Sequence, residues 1–136
     1  MGNFITLTPH PITISLASKG DAYQPLWTAV NVSAYDILDL ELGVLFLNAK
    51  LEAIVSIDTS MQNQSDRHGD WTTAGEFPQR ITGILNEVPK PQWQKLNIAC
   101  GSSSHGFLKF IRWRVNLSDS GTMTFFIRGL VRCWGR

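Results

Sequence analysis

Asp66 and Asp70 stand four residues apart in the polar stretch 60–70, close to Asn63. Oxygen-rich loops of this kind can hold Ca²⁺, but that ion takes about six to eight oxygen ligands, and two carboxylates at a spacing unlike an EF-hand fall short of it. The plainer reading is a solvated loop. The three histidines, His10, His68 and His105, lie in separate loops, and none has the i+2 or i+4 partner that a metal site favours. Ser102, Ser103 and Ser104 precede His105. A serine nucleophile needs an oriented base and an oxyanion pocket, and no G-x-S-x-G elbow, phosphate loop or dinucleotide fingerprint accompanies this run. The expectation is a protein with no catalytic residues, no metal and no cofactor, and therefore not an enzyme.

Two other residue types could act by contact rather than by reaction. An exposed Trp buries much area at low entropy cost, which suits an interface or a sugar-stacking platform. Trp113 alternates with Ile111 and Val115 and reads as core, as does Trp27, while Trp71 follows a turn and is placed over one end of the fold. Trp93, in a loop with Pro89 and Pro91, and Trp134 read as the exposed pair. Lys109, Arg112, Arg114, Arg128, Arg132 and Arg136 concentrate half of the 12 Lys+Arg in the last strands. They would form a solvated or intermolecular face, or a basic face on one sheet that meets an acidic partner. The candidate interface set is Phe4, Trp93, Arg112, Arg114, Arg128, Arg132 and Trp134.

These residues need a scaffold, and 136 residues suffice for a single domain, 1–136, that folds without staples. Hydrophobic residues make up 43% and charged residues 17%, the latter below the roughly 25% of typical soluble domains. Neutral surface of that kind is easier to bury against a partner. A net charge of +1 does not call for direct nucleic-acid contact. Cys100 and Cys133 are too few for a disulfide framework. A bridge between them would require their strands to lie side by side, and two free, part-buried thiols in a reducing compartment is the preferred reading. The first twenty residues lack a basic start and a continuous apolar run, so no secretion signal is expected, and no apolar stretch reaches membrane-spanning length. Met1-Gly2 with Thr6 matches a myristoylation pattern only superficially. The sequons at Asn31, Asn63 and Asn116 are read as chance.

Period-two alternation dominates the chain. Residues 4–8 form a short strand stopped by Pro9 and Pro11, and Ile12, Ile14 and Leu16 share one face of the next. Residues 27–32 are another short strand. Leu38, Leu40, Leu42 and Val44 alternate with Asp39, Glu41 and Gly43, and the strand runs on to Leu47. Ala53, Val55 and Ile57 alternate likewise in 51–59, and the short connection Asn48-Ala49-Lys50 suggests that the two segments form a β-hairpin. Trp71 resumes extended structure, and 81–85 and 96–100 are further short strands. The loop 101–106 leads to two long aromatic-rich strands, 107–116 and 122–134, joined by the turn 117–121. Regular strands with turn punctuation and no amphipathic helix predict an all-β, antiparallel sandwich of jelly-roll or Greek-key type with about eight strands.

Val55-Ser56-Ile57-Asp58-Thr59-Ser60, a polar loop, Gly69-Asp70-Trp71, Phe77 and then Phe107-Leu108-Lys109-Phe110-Ile111-Arg112-Trp113 form a layout that resembles two groups of β-sandwich proteins. It is similar to discoidin-type, galactose-binding-like domains and to small phage and prophage structural proteins, over about residues 51–133. The chain departs from the discoidin pattern in lacking an N-terminal cysteine to pair with Cys133 and in lacking a secretion signal, which favours the phage-type resemblance. That resemblance implies a non-enzymatic capsid, decoration or tail accessory subunit, working as a homo-oligomer with other particle proteins in a virion assembled in the host cytoplasm. Residues 4–8 would add to a neighbour's sheet. The alternative is a carbohydrate-binding or adhesive module, with glycan taken by Trp71, Trp93 and the loops 60–70 and 101–106.

Overall fold

Alternation of large apolar and polar residues gives each strand one buried and one outward face, and two such faces must close on each other. The computed structural model describes residues 3–25, 28–48, 50–61, 71–83, 92–100 and 106–133. Its strands are β1 (Asn3–Thr6), β2 (Ile12–Leu16), β3 (Gly20–Tyr23), β4 (Val30–Asn31), β5 (Ile37–Leu47), β6 (Glu52–Ser60), β7 (Thr72–Glu76), β8 (Ile81–Thr82), β9 (Gln92–Ala99), β10 (Phe110–Leu117) and β11 (Gly121–Arg132). Every pairing between them is antiparallel.

The eleven segments occupy eight lanes. β1 and β2 pair with successive stretches of β11, β3 and β4 with successive stretches of β10, and β7 and β8 with successive stretches of β6. Each of these three edge lanes is broken once in the middle. Pro9 and Pro11 break the first, since proline offers no N–H to a ladder; Leu7 N–H still donates to Ile127 O and Thr8 Oγ1 accepts from Ile127 N–H. Numbered along the chain, the lanes run 1-8-3-6 in the first sheet and 2-7-4-5 in the second. Lane 1 pairs with 8, 2 with 7, 3 with 6 and 4 with 5. A long antiparallel hairpin that rolls up until lane 8 meets 3 and lane 7 meets 4 produces this order. That is a jelly roll, and the expected β-sandwich is the architecture observed.

The core lies between the sheets. Leu38, Leu40, Leu42 and Val44 of β5 and Met123, Phe125, Ile127 and Val131 of β11 face Ala53, Val55 and Ile57 of β6 and Ile111, Trp113, Val115 and Leu117 of β10. Each large side chain buried this way contributes about 1.5–3 kcal/mol. Trp113 sits in this core as expected and meets Phe125 edge-to-face across the sandwich, at 5.1 Å between centroids.

Two expectations about neighbours need correction. Residues 38–47 and 51–59 do not form a hairpin: β5 belongs to the first sheet and β6 to the second. The connection turns from one layer to the other, with Lys50 at a φ of 68°. Asn48 anchors it, its Oδ1 accepting from Thr122 N–H at 2.6 Å. β10 and β11 likewise lie in opposite sheets, so each helps cover the other's apolar face. The second correction concerns Trp93, which lies on β9 rather than in a loop. Trp27 and Trp134, and the loops holding Asp66, His68, Asp70 and residues 101–105, fall outside the described residues.

Both cysteines are free. Their strands do not lie side by side, because β5 runs between β9 and β11. Cys100 N–H donates to Asp36 O, and Asp36 N–H donates to Arg132 O, next to Cys133. Two strand spacings of about 4.8 Å separate such positions, beyond the roughly 7 Å Cα limit for a bridge.

Candidate functional site

The strand register arranges the outward residues of the first sheet in rows. One row across β1, β11, β5 and β9 reads Phe4, Leu130, Asp39, Asn97. The next reads Thr6, Arg128, Glu41, Lys95, and the third holds Phe126, Gly43 and Trp93. Phe4 is 83% exposed, Trp93 52% and Leu130 37%. Phe4 adjoins Leu130 in the first row and Trp93 adjoins Phe126 in the third, with the charged row between them; two such pairs on one face differ from exposed apolar residues scattered singly.

The third row is built around its glycine. The Phe126 ring lies across the strand pair over Gly43: a Cβ there would stand 2.4 Å from Phe126 Cζ. Only glycine lets the ring lie down on β5, a device known from edge and barrel glycines covered by cross-strand aromatics. From there Phe126 meets Trp93 edge-to-face, with centroids 5.2 Å apart and planes at 72°. The Arg128 guanidinium carbon lies 5.1 Å from the Phe126 centroid and 5.9 Å from that of Trp93, within cation–π range. A half-exposed Trp is thus held in one orientation before any partner arrives, which lowers the entropy cost of binding.

The charges around it are paired within the face. Arg128 Nη2 reaches Glu41 Oε1 at 3.4 Å and Arg132 Nη2 reaches Asp39 Oδ2 at 2.5 Å, while Asn97 Nδ2 donates to Asp39 Oδ1. These exposed pairs contribute little to stability but fix where positive and negative groups sit. Two shallow hollows flank Arg128. One is lined by Phe4, Leu130, Asn97 and Lys95, the other by Pro9, His10, Pro11 and Phe126. His10 Nδ1–H donates to Pro11 O, which holds the second rim.

The expected arginine set divides between two surfaces. Arg128 and Arg132 are on the outer face of the first sheet. Arg112 and Arg114 are on the outer face of the second, so the four do not make one basic face. Arg112 is also only 1% exposed. Its guanidinium lies between the rings of Tyr23, at 4.6 Å, and Trp71, at 4.4 Å, and faces Asp58 at 3.5 Å. Arg114 Nε donates to both Asp58 oxygens at 3.2 Å, and its Nη1 lies 3.9 Å from Asp21 Oδ1. Burial lowers the Arg112 pKa, an effect opposed by Asp58, and burial together with the neighbouring Asp21 charge raises that of Tyr23. Arg112 therefore braces the second sheet beneath Trp71 and offers no surface to a partner. Trp71 packs over the sheet's outer face, at this stack.

Sequence reasoning passed over Phe126, Gly43, Leu130, Glu41 and Asp39. The signal was available: if Phe125 and Ile127 point inward, then Phe126, Arg128 and Leu130 must point outward. Among the described residues no three His, Cys, Asp or Glu gather where a metal ion could sit, and no helix is long and apolar enough to cross a membrane.

No family model matches the chain, and no curated protein matches it. A solved structure of infectious bursal disease virus Gt strain is similar over 100% of this chain, with a TM-score of 0.43 and 13% identity; this chain spans 30% of that chain's length.

Proposed function

We propose that this protein is a non-enzymatic structural subunit of a virus-type particle: a capsid, decoration or tail accessory component of phage type. On this reading it acts as one domain through contacts with its own copies and with other particle proteins, without touching nucleic acid or membrane directly. It is assembled in the host cytoplasm and carried in the virion. The observation that carries the reading is the outer face of the first sheet, which leaves Phe4, Leu130 and Trp93 exposed, the last preset by its contact with Phe126. A jelly roll is one of the folds that viral shells use, as do lectins and cupins, so the fold agrees with the reading without selecting it. Low overall charge, 17% of residues, suits a surface that spends its working life buried.

Sedimentation velocity and negative-stain imaging at micromolar concentration test this. The expected result is a defined oligomer, ring or shell, and its loss in Trp93→Ala and in Phe4→Ser/Leu130→Ser, since central aromatic anchors carry about 2 kcal/mol or more each. A protein that stays monomeric throughout and binds no particle component refutes the proposal. One observation favours a second reading: a half-exposed Trp oriented by a neighbouring ring, with Glu41, Lys95 and Arg128 beside it, is also the layout of a sugar-stacking platform. A glycan array that registers binding abolished by Trp93→Ala would replace the first reading with this one.

A further inference from the structure

We infer that the outer face of the first sheet docks on the same face of a second copy, about a two-fold axis that runs parallel to the strands midway between β5 and β11. The inference rests on the assembly reading above and names its partner and geometry.

The charges of one row favour one axis among those parallel to the strands, and oppose the axis across the strands through that row. Across the sheet it reads Thr6, Arg128, Glu41, Lys95 on four adjacent lanes. A two-fold axis across the strands through this row would set Arg128 on Arg128 and Glu41 on Glu41 of the second copy. An axis along β5 would set Arg128 on Lys95, and an axis along β11 would set Arg128 on itself. All three juxtapose like charges, which costs several kcal/mol in a buried interface. An axis in the gap between β5 and β9 pairs Glu41 with Lys95 but leaves β1 and β11 uncovered. The axis in the gap between β11 and β5 exchanges their columns within each row. It lays Arg128 on Glu41 of the second copy and Glu41 on its Arg128, and it covers all four lanes.

In the third row the same operation also brings apolar groups together, while in the first it sets Leu130 over Asp39 and Phe4 over Asn97 of the second copy. Phe126 leans from β11 over Gly43 on β5, so its ring lies close to this axis and meets the Phe126 ring of the second copy. Trp93, on the last lane, is carried over the first lane of the second copy, where Pro9, His10, Pro11 and Phe126 line a hollow. Trp and proline surfaces are flat and apolar, and the hollow leaves room for the ring. Sheets packed face to face stand about 10 Å apart with strand directions within about 30° of each other; an axis parallel to the strands sets them parallel, which keeps the rows in register.

Two charge reversals test the geometry. Glu41→Arg makes positions 128 and 41 both positive, and Arg128→Glu makes both negative. Each purified variant should self-associate about tenfold or more weakly than the wild type at low salt. Mixed one to one, they should form a heterodimer of near wild-type affinity, because both intermolecular pairs are then opposite in sign while the pair within each copy remains repulsive. Sedimentation velocity of each variant and of the mixture reads this, with circular dichroism to check the fold. If either reversal does not fold, Glu41→Gln and Arg128→Gln serve: each should weaken association and flatten its dependence on salt. A mixture as monomeric as its components, or neutral variants that associate like the wild type, overturns the axis while leaving the assembly reading intact. A wild type that never self-associates overturns both.

Discussion

Gly129 and Gly43 lie in the same pair of strands, β5 and β11, yet alanine should have opposite consequences at the two sites. At Gly129 an added Cβ would come within 2.1 Å of Asp39 O and 2.9 Å of Leu40 Cα, where ordinary contact begins at 3.4 Å. Both obstacles are backbone atoms of the central strand β5, so relief requires β11 and β5 to part. Overpacking of this kind costs about 1–3 kcal/mol, and each ladder hydrogen bond that lengthens on either side adds up to about 1 kcal/mol. Gly129→Ala should therefore destabilise by about 3 kcal/mol, a drop in Tm of about 10 °C for a chain of this size. At Gly43 the Cβ would meet only the Phe126 ring, at 2.4–2.5 Å for its nearest atoms. That ring is at the surface and can rotate away. The loss is then the edge-to-face contact with Trp93, about 0.5–1.5 kcal/mol, offset by the roughly 0.5–1 kcal/mol gained when a strand glycine is replaced. Gly43→Ala should cost under about 1 kcal/mol while freeing Trp93 and weakening self-association. Urea denaturation followed by Trp fluorescence, with equal slopes as the check on two-state behaviour, measures both. Equal losses at the two sites, or the larger loss at Gly43, would falsify the distinction between backbone and side-chain obstruction.

Three further outcomes follow from the same geometry. Among the described residues β9 pairs only with β5, leaving an eight-residue edge with Lys95 at its middle; Lys95→Val should remove the charge that keeps two such edges apart, giving light scattering on standing that the wild type lacks. Tyr23, whose folded pKa lies above the ordinary 10.0, favours folding while protonated. That contribution is present below pH 10 and is lost as pH rises through the raised value, so Tyr23→Phe should flatten the alkaline limb of stability against pH, and an unchanged limb refutes the shift. Thiol titration of the denatured, never-reduced protein should find both cysteines free, with Tm unchanged by reductant; a Cys100–Cys133 pair that titrates only after reduction would contradict the placement of β5 between them.

Alternation was enough to read the faces of β5, β6, β10 and β11, because each carries large apolar residues at every second position. It could not read partners. A period of two says which side chains point inward, but the same pattern serves a strand whose successor pairs beside it and one whose successor crosses to the other sheet. Asn48-Ala49-Lys50 looks like a hairpin loop for that reason; the crossover shows only in the pairing of β5 with β11 and β9 and of β6 with β10 and β7. β9 was half missed for a different reason. Two of its inward positions are Gln92 and Gln94, whose amides bond Thr82 O and the backbone of Gln79. They close the side of the sandwich as a neighbouring strand would, so the strand lacks the apolar stripe that marks its kind. Arg112 shows the limit from the other direction. Its position is outward by alternation, and outward normally means wet. The rings of Tyr23 and Trp71 come from distant parts of the chain to enclose it, and no local pattern encodes that. Where an outward residue is covered by its own chain, as here, it holds the fold. Where the outward residues stay uncovered and apolar, as Phe4, Leu130 and Trp93 do, burying them removes unfavourable apolar hydration, and the free energy released is available to association with another molecule.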